Sequence, residues 1–277
     1  MAHISSEPPA AGSALAPVLF IPHGGGPLPL LGDPGHRQLS AFLKGVAPQL
    51  GAPSAIVLVS AHWEADQASV TGAAKPDLIF DYYGFPEESY ALRYPAAGNP
   101  ALAQSVRDLL EEAGIPVRID PSRGFDHGMF VPLTLMYPAA DIPCIQLSLL
   151  KSLDPAAHIA MGRALRKLRE QNVLLIGSGL SFHNLRAFSY VDAAARAVEF
   201  DDWLVETCTD RVISPSDRER RLINWATAPQ ARFSHPREEH LLPLHVCYGA
   251  AARDDAAAEL VFNDDMMGVR VSALLWR

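Results

Sequence analysis

Cysteine is scarce in this chain. Cys144, Cys208 and Cys247 are the only three among 277 residues, far apart, odd in number and set in apolar surroundings. No CxxC pair occurs, which argues against a zinc ribbon and against a disulfide framework. Reduced packing cysteines in a cytosolic protein are the simpler expectation. Long hydrophobic runs are also missing. No stretch approaches the ~18 uninterrupted apolar residues that a membrane span needs, so no membrane partner is expected. Positive charge is in deficit, with 23 Lys and Arg against 31 Asp and Glu and a net charge of −8. The basic residues form no stripe, and nucleic acid is not an expected partner. Residues Met1 to Ala16 are rich in Ala, Pro, Ser and Gly but lack the basic region and apolar core of a signal peptide. Residues 1–15 are expected to form a flexible tail. No internal repeat and no charged or Ser/Gly-rich linker divides the rest, so residues 16–277 are expected to form a single domain in the cytoplasm.

What is present is an ordinary globular composition, 49% hydrophobic and 19% charged, enough for a sizeable core. Four apolar, β-branched runs stand out: Pro17–Ile21, Ala55–Ser60, Ile142–Ser148 and Asn172–Gly177. Continuous apolar character marks strands buried on both faces, as in a parallel sheet covered by helices. Between them lie helical patterns. Asn99 to Gly114 has an Asn-Pro start and a Gly stop; Asp154 to Gln171 opens with Asp-Pro. Ala193 to Asp210, Ser214 to Ala226 and Glu238 to Ala252 are further expected helices, and Glu259–Asn263 and Gly268–Leu275 return to strand patterns. Val117–Asp120 reads as another strand. The alternation predicts an α/β fold with a central, mostly parallel or mixed sheet flanked by helices.

Ten histidines are present, and their placement is the informative feature. His23 and His62 each follow an expected buried strand directly, and His183 follows a third after a short Ser/Gly loop. In open α/β sheets, sites form beyond the carboxyl ends of the strands. Three imidazoles delivered to that one edge suit a metal centre. A lone histidine at a strand end is more often structural; repetition on separate strands carries the argument. His235 to His240 offers a further cluster, with Glu238 and Glu239 before His240, but not the HExxH spacing. His127, between Asp126 and Gly128 in an expected loop, suits a proton donor, a substrate contact or a satisfied loop residue equally. His3, His36 and His158 lack such context and are expected at the surface.

Five motifs occur in one order: Pro22-His23-Gly24-Gly25, Ser60-Ala61-His62-Trp63, Gly124-Phe125-Asp126-His127-Gly128, Ser181-Phe182-His183-Asn184-Leu185-Arg186 and Glu239-His240-Leu241-Leu242-Pro243-Leu244. In these the chain resembles the class III extradiol ring-cleavage dioxygenases, in the DOPA 4,5-dioxygenase-type branch, from about residue 17 to the end. The resemblance implies His23, His62 and His240 as metal ligands, with Glu239 the rival third ligand. It implies His183 as the acid/base, near enough to serve as a fourth ligand, and His127 as a contact to substrate or oxygen. Iron(II) is the implied active metal, with zinc(II) an alternative occupant. The implied partners are a small aromatic diol and O₂, which a monomer or homo-oligomer would turn into a yellow semialdehyde. One departure is the loop His23-Gly24-Gly25-Gly26-Pro27 where many relatives have His-Gly-Ser-Pro, which implies an altered substrate preference.

Two rivals remain at this level. Three histidines and a water also suit a zinc hydrolase with Glu239 as base. The Memo proteins resemble the same superfamily and offer a non-enzymatic metal-binding alternative. For an acidic substrate, Arg93, Arg123 and Arg186 are candidate cationic partners.

Overall fold

A computed structural model describes residues 15–187, 190–251 and 257–277. The tail expected over 1–15 lies outside these residues except for Leu15, as does His3. In chain order the strands are β1 (Val18–Pro22), β2 (Ala55–Ala65), β3 (Ala68–Thr71), β4 (Leu78–Ile79), β5 (Val117–Asp120), β6 (Phe125–Asp126), β7 (Cys144–Leu150), β8 (Val173–Gly179), β9 (Glu259–Met266) and β10 (Val269–Trp276). The helices are α1 (Arg37–Val46), α2 (Pro100–Glu112), α3 (His127–Met136), α4 (Pro155–Leu165), α5 (Ala193–Thr209), α6 (Pro215–Ile223), α7 (Ala231–Ser234) and α8 (Leu242–Ala251).

Eight strands form one sheet in the order β5-β3-β7-β2-β8-β1-β10-β9, and β4 and β6 form a separate parallel pair. The four central strands β7, β2, β8 and β1 run parallel. Antiparallel pairing joins β3 to β7 on one side and β10 to β1 and β9 on the other. The fold is therefore α/β with a mixed sheet. Side chains alternate between two cores, as strand pleating requires. Val18, Phe20, Val57, Val59 and Leu175 face the core shared with α2, α4 and α8. Leu19, Ile21, Ile56, Leu58, Leu174 and Ile176 face the core shared with α1 and α3.

Helix starts follow their caps. Asn99, Asp154 and Ser214 each accept a backbone N–H of the first turn, from Leu102, Ala156 and Asp217, and a proline follows each cap. The helix expected over Asp154–Gln171 stops at Leu165 and tightens into a 3₁₀ turn that ends at Asn172, which adopts φ 59°. Other elements differ more. No helix starts at Glu238: α8 begins at Leu242, so His240 sits in irregular chain before it. Phe125 and Asp126 pair as β6, and His127 opens α3 rather than lying in a loop.

Candidate metal centre

Parallel pairing of β1, β2 and β8 brings their carboxyl ends to one edge of the sheet. His23 follows β1 directly, and its N–H donates to Gly179 O at the end of β8 (3.2 Å). β2 runs on past Ser60, so His62 lies inside the strand rather than after it. The β2–β7 register slips between Val59 and Glu64, and such an irregularity re-aims a side chain. His183 lies four residues beyond β8, its N–H donating to Ser234 O (2.9 Å). His240 is fixed by a close approach of backbone. Leu180 N–H donates to His240 O (2.9 Å), and a Cβ on Gly179 would lie 2.1 Å from that oxygen. Only glycine admits the chain there.

All five expected imidazoles surround one cavity of about 330 Å³. The nitrogens of His23, His62 and His240 lie within 4.8 Å of one another, and His23 Nε2 is 3.0 Å from His62 Nε2. The His127 ring centroid is 3.9 Å from that of His62, and the His183 ring stacks on His240 at 3.3 Å.

Neighbouring groups decide which nitrogen of each ring faces inward. The Ser178 hydroxyl donates its one hydrogen to Gly128 O and so receives His23 Nδ1–H at 3.1 Å. His23 therefore turns a lone pair on Nε2 toward the cavity. Glu239 Oε1 accepts His240 Nδ1–H at 3.0 Å, leaving His240 Nε2 buried, deprotonated and without a protein partner. Asp81 Oδ1 accepts both the backbone N–H of His127 (3.0 Å) and its Nδ1–H (2.7 Å). His62 is held through its backbone: its N–H donates to Ser60 Oγ (3.2 Å), which donates to the buried Asp126 (2.7 Å). Gln146 and Arg123 complete the shell of Asp126.

Electrostatics follow from burial. Desolvation, reinforced by the neighbouring imidazoles, pushes His23 and His62 well below the usual histidine value. Burial and the stacked His183 bring His240 down to about 3. Three neutral imidazoles, with the lone pairs of His23 and His240 turned inward, are the kind of donor set that zinc, iron and copper prefer. Burial works against ionisation of Glu239 and is the largest single influence on it, yet hydrogen bonds from His183 and His240 prevail and hold it far below the usual carboxylate range. Arg237 bridges Glu239 (3.1 Å) to both oxygens of Glu64 on β2 (2.5 and 2.6 Å).

Several supporting residues escape a linear reading. Asp81 and Ser178 reach their histidines across 46 and 155 positions. His36, expected at the surface, is fully buried. Its Nδ1–H meets Asp33 (2.7 Å) and its Nε2 accepts Gly25 N–H (3.0 Å), which shapes the glycine loop after His23. His158 is buried as well, accepting Leu150 N–H (3.0 Å) and donating to Asp154 O (2.7 Å). In both cases short polar runs hide a side chain that returns to satisfy backbone. Arg123 packs over Trp63 and pairs with Asp126, away from the cavity, and Arg93 lines a separate groove.

Over residues 23–272 the chain matches the family described as the catalytic LigB subunit of aromatic ring-opening dioxygenase. It is 41% identical to dioxygenase tasH of Hapsidospora irregularis, covering 95% of this chain and 86% of that one. It is 38% identical to the 4,5-DOPA dioxygenase extradiol of Beta vulgaris, covering 88% and 90%, and 38% identical to that of Escherichia coli K12, covering 86% of each. Among solved structures, an uncharacterized protein from Escherichia coli K12 superposes with a TM-score of 0.75 at 31% identity, covering 95% of this chain and all of the other. The chain belongs to the LigB family of class III extradiol dioxygenases.

Proposed function

We propose that residues 16–277 form one catalytic domain that opens the ring of a catechol with O₂ and yields a semialdehyde. The observation that carries this is the convergence of His23, His62 and His240, with the inward lone pairs of His23 and His240 imposed by Ser178 and Glu239. The buried, unpartnered Nε2 of His240 fits a metal ligand. Glu239 is occupied by His240, His183 and Arg237, which favours His240 over it as third ligand. An iron(II) ion held by these nitrogens supplies the charge that acidifies a bound diol and the redox partner that O₂ requires.

The chain's own residues handle protons. His183 lines the cavity with its Nδ1 3.4 Å from Glu239 Oε1. An imidazolium formed there on accepting a phenolic proton is stabilised by that carboxylate, and it can return the proton as ring opening proceeds. Asp81 holds the His127 tautomer and leaves Nε2 as the atom available to substrate. Leu28, Phe85 and Phe182 exclude water from the reacting ring. A zinc hydrolase with Glu239 as its base needs that carboxylate free, whereas His183, His240 and Arg237 engage it. The cysteines are buried and unpaired, which suits a reducing cytoplasm. No helix among the described residues is long and apolar enough to cross a membrane.

The test is oxygen uptake by anaerobically iron(II)-loaded protein given a panel of catechols. Uptake with a new yellow chromophore is expected. Iron bound without uptake across the panel overturns the proposal.

A further inference from the structure

The wall facing the imidazoles is built of uncharged side chains. Among the described residues no Asp, Glu, Lys or Arg lines the cavity. Its tyrosine, Tyr82, donates its hydroxyl to Ser89 O (2.6 Å). The neighbouring carboxylates are committed, Asp81 to His127 and Glu239 to His183, His240 and Arg237. A carboxylate or ammonium group on a bound ring would lose water there and gain no charged partner, and such burial is strongly unfavourable.

The rim adds shape to this chemistry. Met267 occupies the β9–β10 turn at φ 56°, followed by Gly268 at φ 87°. The turn is fastened by Met267 N–H to Gly35 O (3.1 Å) and Gly268 N–H to Asp265 Oδ1 (2.9 Å). Met267 is 42% exposed and Leu185 is 72% exposed, yet both line the cavity. A thioether and an isobutyl group at a mouth offer polarizable, adaptable contact to apolar or aromatic groups. Exposed large apolar side chains gathered at one opening indicate a ligand surface.

We propose that this site selects a catechol whose ring substituent is uncharged and apolar, with Met267 and Leu185 as the residues that select it. The inference rests on the cavity being a catechol site, and it parts from the relatives named for DOPA, an amino acid. The competing partner for an acidic substituent is Arg186, in an adjoining groove that shares His183 and Leu185 with the cavity.

The experiment compares 4-tert-butylcatechol with 3,4-dihydroxyphenylacetate on iron(II)-loaded protein. Affinity is read by anaerobic calorimetry and kcat/KM by oxygen uptake. The neutral catechol is expected to win by about tenfold or more in both. Met267→Lys, at an exposed turn, is expected to narrow or reverse that ratio by giving the carboxylate a partner, and Leu185→Arg is the second variant should the first fail to fold. Preference of the unaltered protein for the acidic catechol, above all if Arg186→Ala removes it, overturns the inference and leaves the proposed function standing. Absence of uptake with these two and with the rest of the catechol panel overturns the proposed function, while calorimetry still ranks the two ligands and decides the inference.

Discussion

Ser178 decides which nitrogen of His23 carries the proton, because a hydroxyl that has given its hydrogen to a carbonyl can only accept. Ser178→Ala removes that acceptor. Metal affinity should fall roughly 10- to 100-fold, measured by competition with a chelator; unchanged affinity would show that the serine does not orient the ligand. His183 touches the cavity from a partly exposed position and stacks on His240 without being needed for the three-nitrogen cluster. His183→Ala should keep the metal and lower turnover by about 10²- to 10⁴-fold. Loss of the metal would make it a ligand instead. Asp81→Asn should lower turnover more than iron content, since Asp81 holds the His127 imidazole at 2.7 Å and lies farther, at 3.8 Å, from Nδ1 of His62. The histidines themselves were legible in the sequence, because strand ends and ordered motifs flag them. Asp81, Ser178 and His36 were not, because each acts through a contact that the chain makes only after folding.

At the scale of elements, the site depends on how closely the chain before α8 can lie against β8. Gly179 permits that approach, and Gly177 permits the next, where an added Cβ would lie 2.5 Å from Pro243 O. Gly179→Ala forces backbone apart, a displacement that costs roughly 1–3 kcal/mol. It should also weaken metal binding by moving His240. A lowered midpoint in thermal denaturation together with raised metal release is the expected pair of results, and wild-type metal affinity would contradict it. The buried strands were readable from composition, and two of the capped helices from their Asn-Pro and Asp-Pro starts. The continuation of β2 through His62 was not, since polar residues enter the strand where it leaves the core. The start of α8 was misplaced for a related reason. Glu238 and Glu239 look like an acidic first turn, but they answer Arg232, Arg237 and the site histidines.

The whole molecule carries several histidines that folding keeps neutral. Burial brings His158 down to about 4 and His235 to about 3, and both are fastened to backbone partners. Their folded values lie below the unfolded value of about 6.5. Between those limits the unfolded chain binds more protons, so stability rises with pH. It is complete above about 6.5 and is lost as pH falls toward 4 and then 3, by roughly 1.4 kcal/mol per unit for each such group. Thermal midpoints of metal-free protein should therefore drop steadily from pH 6.5 to 4.5; a flat profile would contradict the assignment. The buried strands follow from continuous apolar runs, which the sequence displays; their order in the sheet does not, because pairing joins segments far apart in the chain. The charge state of the interior follows from burial, which the sequence does not display. The proposed reaction inserts dioxygen into a catechol ring. It is tested most directly by supplying isotopically labelled O₂ to the iron(II)-loaded protein and weighing the product. Both labelled atoms in a ring-opened semialdehyde are the predicted result. A product without label, or with its ring intact, would contradict it.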